Sequence, residues 1–484
     1  MSRFRLVCAA CLLATAVAPV GVVTLRASTR AVPRPGDAEA AAVERFKAIR
    51  GDHVQLEQFL HEMPKGGDLH VHLSGAVYAE SYLRWAGDAG LCLVTATLSL
   101  ARPSCDAAAG KPAASTVSEG SPIYDQVLDA WSMRNWRDGN AARGGRDHFF
   151  ATFARFNLAT GRVGDMLAEA VSRAAAEHDE YVELMLATDG GAAAMRGTAA
   201  GWNADFRRMR DRLVANGFNA VLAEARTRLD QAEAREREVL HCGSSDAAPG
   251  CAVTVRYISQ VYRAGAPEQV FAQMLAGFAL ASADPRVVSL NLVAPEDDPV
   301  SIRDFPQHMR MLEFFHERYP AVPITLHAGE LAPGMAPPAA LHSHIRDSVR
   351  IGHALRIGHG VDVMHERNPT ALLRELSARR VLIEIALSSN DVILGISGAA
   401  HPLAAYLRYG VPVAIATDDP GVARSSHTRE FLRAVEDQGL DYLTIKRLAR
   451  NSLEFAFADR ATKRRLQTQL ENHFAAFERQ QQNP

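Results

Sequence analysis

The chain has 484 residues, 48% hydrophobic and 22% charged, which is ordinary globular usage and excludes wholesale disorder, collagen and a multi-pass membrane protein. Lysine and arginine total 53 against 55 aspartates and glutamates, a net charge of -2, so no basic excess points to nucleic acid and no acidic block to a tail. The length fits two or three ordinary domains, or one α/β barrel with insertions.

Residues 1–28 read as an export signal. Arg3 and Arg5 form a positive start, an apolar stretch runs from Leu6 to Leu25 around Pro19, and the small residues Ala27 and Ser28 offer a cleavage zone. The expected location is periplasmic or secreted, with no membrane association after cleavage; an uncleaved anchor is the alternative, since the stretch approaches spanning length. Residues 29–62 read as a leader, mobile over 29–50, with one helix over 39–62 that places Val43, Phe46, Ile49, Leu56 and Phe59 on its apolar positions.

Cys8 and Cys11 fall in the signal, leaving Cys92, Cys105, Cys242 and Cys251. The favoured pairing is Cys92–Cys105 and Cys242–Cys251, because each closes a short local loop and an oxidising compartment permits it; four free thiols are the alternative.

Eight short apolar runs follow: Leu69–Leu73, Tyr181–Leu186, Val253–Ser259, Val287–Val293, Ile324–His327, Arg356–Gly360, Leu382–Leu387 and Val413–Ala416. Most end in a polar or Gly/Pro cluster, as buried parallel strands do. From the third onward they recur at about the length of one βα unit, with helical patterns such as Phe305–Arg318 and Pro369–Arg379 between them. The fold class is therefore α/β, a (β/α)8 barrel over 63–484. It carries one insertion over about 88–150 and a helical one over about 203–250, the latter a charged pair broken near Gly217. Helices over 427–480 close and cap it.

The chemistry gathers at the strand ends. His70 and His72 are two apart, so a strand points both to one face, the barrel interior; they are a metal pair or a hydrogen-bonded pair. His327 ends the fifth strand and offers a third neutral nitrogen, with Glu330 three residues on as a candidate general acid or base. His359 lies between two glycines at the end of the sixth strand. His353, in a second Ile-Gly-His triplet, reads as structural. Asp418 and Asp419 end the eighth, two adjacent carboxylates that need a cation or hydrogen-bond donors to coexist. All six sit at the C-terminal ends of strands one, five, six and eight, where barrel active sites lie. His178, His316, His365 and His473 do not share this placement and read as solvated.

The segments MPKGGDLHVHLSGA, TLHAGE, RIGHG, IEIALSSN and ATDDPGV resemble the adenosine deaminase family of zinc barrels, in order and approximate spacing from residue 63 to about 424. The export signal and cysteine pairs resemble its secreted growth-factor-related branch. The resemblance implies one Zn2+ per chain, held by His70, His72, His327 and Asp418. It implies Glu330 as the acid that protonates purine N1, and His359 as the group that orients and deprotonates the attacking water. Asp419 is implied as the partner of purine N7, and the Ala294 backbone as the neighbour of N3. The implied reaction converts adenosine, and 2′-deoxyadenosine, to inosine and ammonia. The implied partner is a small purine nucleoside, with a homodimer as the candidate assembly.

Two positions depart from the family pattern. Ser74 replaces an acidic residue that meets the ribose 5′-hydroxyl, and Ala294 replaces a glycine; together they leave another 6-aminopurine open as substrate. A related barrel hydrolase acting on a cyclic amide also stays open, although no lysine stands between Val287 and Asp297 to bridge two metals. So does a nucleoside-binding or signalling protein with a vestigial site.

Overall fold

The computed structural model describes residues 35–136 and 144–482. The proposed signal lies outside the described residues.

Eight parallel strands form the centre: β1 Gly66–His72, β2 Asp179–Leu186, β3 Thr254–Tyr262, β4 Val287–Val293, β5 Thr325–Ala328, β6 Arg356–His359, β7 Leu382–Ile385 and β8 Val413–Ile415. Each expected run is a strand, displaced by a few residues at most. The largest shifts are at the start of β1, which begins at Gly66 and yields at Leu73 to a one-turn helix, and at the end of β3, which runs on to Tyr262. The strands pair as two four-stranded sheets, β1 to β4 and β5 to β8. At one seam the backbone joins them: His72 N–H donates to the Asp418 carbonyl at 2.9 Å and Asp418 N–H to the His70 carbonyl at 2.8 Å. At the other, side chains do so: Thr325 N–H donates to Ser289 Oγ at 3.3 Å and His327 N–H to Asn291 Oδ1 at 3.0 Å. The result is a (β/α)8 barrel.

The expected single helix over 39–62 is two, Pro35–Ile49 and His53–Glu62. Gly51 and Asp52 break it, and Asp52 caps the second helix by accepting the Gln55 N–H at 3.1 Å. Nor is 35–50 a mobile leader. Ala42, Phe46 and Ile49 are buried, and Phe46 and Phe59 pack with Tyr442 and Phe477 of the C-terminal helices. The helical pair after β2 is Phe206–Ala215 and Asn219–Val239, with Gly217 at φ +78° in the break. Both disulfides, Cys92–Cys105 and Cys242–Cys251, are formed. No helix among the described residues is long and apolar enough to cross a membrane.

Below the strand ends the barrel interior is charged where many barrels carry Val, Ile and Leu. Arg356, on β6, is buried with its Nε 2.6 Å from Glu384 Oε1 and its terminal nitrogen 2.6 Å from Glu183 Oε2. Its guanidinium also lies 3.8 Å over the Phe457 ring. The guanidinium supplies the opposite charge that buried carboxylates need. Arg356→Met is expected to lower stability by about 3–5 kcal/mol, because Glu183 and Glu384 stay buried without the guanidinium that pairs with both. Urea unfolding of the two proteins measures this; an unchanged midpoint would show that the Arg356 pairs do not stabilise the fold.

Candidate active site

Register builds the site. β5 and β6 pair so that His327 stands opposite Gly358, and β6 and β7 so that Gly358 stands opposite Glu384. The missing side chain at Gly358 makes room for the His70 ring: a Cβ there would lie 2.5 Å from His70 Cε1. His70 thus reaches both neighbours. Its Nδ1 donates to Glu384 Oε2 at 2.7 Å and its Nε2 stands 3.1 Å from His327 Nε2.

His72 Nε2 comes within 3.2 Å of the same His327 nitrogen. Asp418 Oδ1 completes the group, 3.5 Å from His70 Nε2 and 3.4 Å from His72 Nε2. The far side of each ring is anchored. His327 Nδ1 donates to Asn291 Oδ1 at 2.8 Å, and the Gln260 amide lies 2.7 Å from His72 Nδ1. Asp418 Oδ2 accepts from Ser389 Oγ at 2.6 Å.

The donors fit a metal. With the Nδ1 protons of His70 and His327 committed to acceptors, their Nε2 atoms are bare and face each other, a contact that costs energy unless a cation lies between. Adjacent ligands of one zinc ion, each about 2 Å from it, stand roughly 3 Å apart, and the contacts of 3.1–3.5 Å have that spacing. His359 is a looser neighbour, its Nε2 4.0 Å from Asp418 Oδ2 and 3.7 Å from Glu330 Oε1. Its donor atom still falls within 4.8 Å of those of His70, His327 and Asp418, as Asp419 does with His72 and Asp418. The shorter contacts have the spacing that ligands of one ion would need; the longer ones would leave His359 and Asp419 beside it.

Two backbone departures aim the outer groups. His359 has φ +70° and Asp418 φ +62°, left-handed conformations at the strand ends. By strand alternation His359 would face away from Gly358's side of the sheet; the turn brings its ring into the site. Asp419 nests against Gly75, where a Cβ would stand 1.5 Å from Asp419 Oδ1, so glycine is required after Ser74.

Burial sets the charges. It pushes Glu330 well above the usual carboxylate range, and the charge of Asp418 adds to the push. Asp419 is raised for the same two reasons. Asp418 goes the other way: burial opposes its charge, but His70, His359 and His72 outweigh it. Burial lowers His72 and His359 to about 4 and His327 further, which suits neutral ligands; His70, which burial would also lower, is instead raised to about 10 by Asp418 and Glu384. Glu296 braces the Glu330 loop, accepting the Gly329 and Glu330 N–H groups at 3.2 and 2.7 Å and pairing with His344 at 2.6 Å.

A cavity of about 640 Å3 opens over these groups, with Ser74, Ala294, Glu330, Asp418 and Asp419 on its wall. Every sequence-predicted site residue therefore borders the cavity or the ligand group. Phe149, Phe150, Phe153 and Arg146 also line it, and all four come from the helix Gly144–Phe156, which begins inside the expected 88–150 insertion and runs past its end. Arg146 ties that helix to the barrel through Asp297 at 2.5 Å. Sequence reasoning missed this wall, as it missed the anchors Gln260, Asn291 and Glu384. Of the histidines read as solvated, His178 and His365 are exposed, and His473 is exposed but pairs with Glu180 at 2.7 Å. His316, the last residue of the helix Pro299–His316, is half-buried and stacked on His353 with ring centroids 4.1 Å apart.

Ala294 sits at φ +99°, which glycine adopts freely and alanine at a cost. Its carbonyl accepts from Arg263 Nε at 2.9 Å, which holds the turn. Ala294→Gly is expected to stabilise the protein by about 1 kcal/mol through relief of this strain. Thermal unfolding tests this; a lower melting temperature would show that Arg263 imposes the turn without strain.

These features define an α/β barrel whose strand ends gather a candidate metal site. The Adenosine deaminase family profile matches residues 223–473, more than half of the chain. The adenosine deaminase of Yersinia pseudotuberculosis is 35% identical over 167 residues, which are 34% of this chain and 47% of that protein. The chain spans about half the length of the curated relatives it matches. Among solved structures, the N6-methyl-AMP deaminase of Arabidopsis thaliana aligns at TM-score 0.57 and 18% identity, over 86% of this chain and 98% of that one. The adenine deaminase of Arthrobacter aurescens aligns at TM-score 0.55 and 17% identity, over 84% and 98%. The chain belongs to the adenosine deaminase family.

Proposed function

We propose that the protein is an exported, zinc-dependent deaminase that converts adenosine and 2′-deoxyadenosine to inosine or deoxyinosine and ammonia. The observation that carries this reading is a converging His70, His72, His327 and Asp418 group with a buried Glu330 beside it, whose carboxyl burial pushes well above the usual carboxylate range.

His70, His72, His327 and Asp418 would hold one Zn2+. When bound there, zinc supplies the Lewis acidity that makes water a nucleophile near neutral pH. Glu330 holds a proton at its carboxyl oxygen and donates it to purine N1, which draws electron density from C6. Asp419, also protonated, donates to N7 and fixes the ring. His359 orients the attacking water over C6. Water adds at C6 through its oxygen; one of its protons restores the Glu330 carboxyl and the other passes to the amino group, so the C6–N bond breaks, the C6 carbonyl forms and ammonia leaves. Phe149, Phe150 and Phe153 cover the cavity and exclude bulk water, which strengthens each of these hydrogen bonds.

Nucleoside is favoured over nucleotide by charge. Among the described residues lining the cavity Arg146 is the one guanidinium or ammonium, and Asp297 and Asp147 already neutralise it. Export is supported by the N-terminal pattern and by two disulfides, which persist in oxidising compartments. Ammonia release from adenosine, 2′-deoxyadenosine, AMP and adenine tests the substrate. Turnover of the two nucleosides above the others is expected; preference for AMP or adenine would reassign it.

A further inference from the structure

The SSN stretch at the end of the seventh βα turn has a use that the proposed reaction leaves unassigned. Asn390 lies in the helix Leu387–Leu394 after β7, fully buried, with its amide between two imidazoles. Asn390 Nδ2 is 2.9 Å from His359 Nδ1, and Asn390 Oδ1 is 3.1 Å from His401 Nε2. His401 is buried just after the short turn Gly398–Ala400, and its Nδ1 accepts the Leu403 backbone N–H at 3.2 Å.

That last bond sets the direction of all the others, because a backbone N–H can only donate. His401 Nδ1 is therefore an acceptor. Burial keeps the ring neutral, so its single proton is on Nε2. Nε2–H donates to Asn390 Oδ1, which turns the Asn390 NH2 toward His359. His359 Nδ1 must then accept. Reversing Asn390 would set its NH2 against His401 Nε2–H, and His401 cannot yield without setting Nδ1–H against the Leu403 N–H.

We propose that His401 is a positioning residue of this site. Through Asn390 it fixes the proton of the His359 ring on Nε2, the nitrogen that faces Glu330 and Asp418. His359 then presents an N–H donor to the cavity. It holds the attacking water by donating to its oxygen, and the lone pair that could take a proton points away, at Asn390. The role carried over from the family, deprotonation of that water, needs the opposite tautomer. The proposal rests on the reading of this cluster as the active site, but its central test does not need turnover.

The test is ring-15N NMR of histidine-labelled, zinc-loaded mature protein, with His359 assigned by its loss in His359→Gln. The expected pattern is a protonated Nε2 and a bare Nδ1. In Asn390→Asp a carboxylate accepts from both rings, so the His359 proton should move to Nδ1. In the same variant kcat on adenosine should fall about 10–100-fold, the usual scale for a residue acting through another, with KM little changed. His401→Gln, which still donates to Asn390, should keep the proton on Nε2. If Asn390→Asp does not fold, His401→Glu imposes the same reversal. A wild-type ring with its proton on Nδ1, or a ring indifferent to these reversals, overturns the proposal. A correct tautomer in a protein that releases no ammonia would instead overturn the function and leave the relay standing.

Discussion

Glu330→Gln is expected to keep its metal and lose turnover by about three orders of magnitude, within the range that general acid catalysis supplies. Glu330 is nearly fully buried, and burial pushes its carboxyl well above the usual carboxylate range, which favours the acid form. Glutamine matches its shape and can still offer an N–H to purine N1. It cannot transfer a proton, so C6 stays electron-rich when water arrives. Zinc content should be unchanged, because Glu330 has no contact with His70, His72 or His327 at ligand distance among the described hydrogen bonds. Steady-state kinetics with metal analysis checks both halves. Unchanged kcat would remove Glu330 from the acid role, and lost metal would make it a ligand.

The second large effect is expected from His327. Its Nε2 is the one nitrogen within 3.2 Å of those of both His70 and His72, so it stands at the centre of the donor group. His327→Ala should weaken zinc binding by more than about 100-fold, beyond the range of changes to residues that only orient a ligand. Turnover should fall to that of metal-free protein. Glu384→Gln provides the scale: it loosens His70 Nδ1 without removing a ligand, and should cost about 10–100-fold in affinity. Competition with a chelator measures both. Equal effects from the two changes would mean that His327 is not a ligand.

Much of this site was legible in the sequence because barrels place chemistry where apolar strands end. The polar residues that halt each run, His70 and His72, His327, His359, Asp418, are also those that meet at one face. The parts that escaped have two physical origins. Glu384, Asn291 and Gln260 lie inside strands, where they fill the barrel interior level with the ligands; only their parity within otherwise apolar runs marks them. Leu382-Ile383-Glu384-Ile385 reads as a buried strand, and the carboxylate there is a signal that some cation or donor must lie opposite. The aromatic wall from Gly144–Phe156 escaped for another reason. An insertion contacts the barrel through tertiary packing and the Arg146–Asp297 pair, which no local period encodes. The split of 39–62 into two helices was readable in principle, since Gly51-Asp52 is a stop followed by a cap.

The central claim is that a single metal ion, held by three imidazoles and Asp418, is needed for deamination of a purine nucleoside. Ammonia release from adenosine by the purified mature protein, followed before chelation, after it and after zinc is returned, tests this most directly. The expected result is one zinc per chain, with turnover that disappears and returns in step with it. Full turnover by metal-free protein, or zinc-loaded protein that releases no ammonia from adenosine or any other 6-aminopurine, would contradict it.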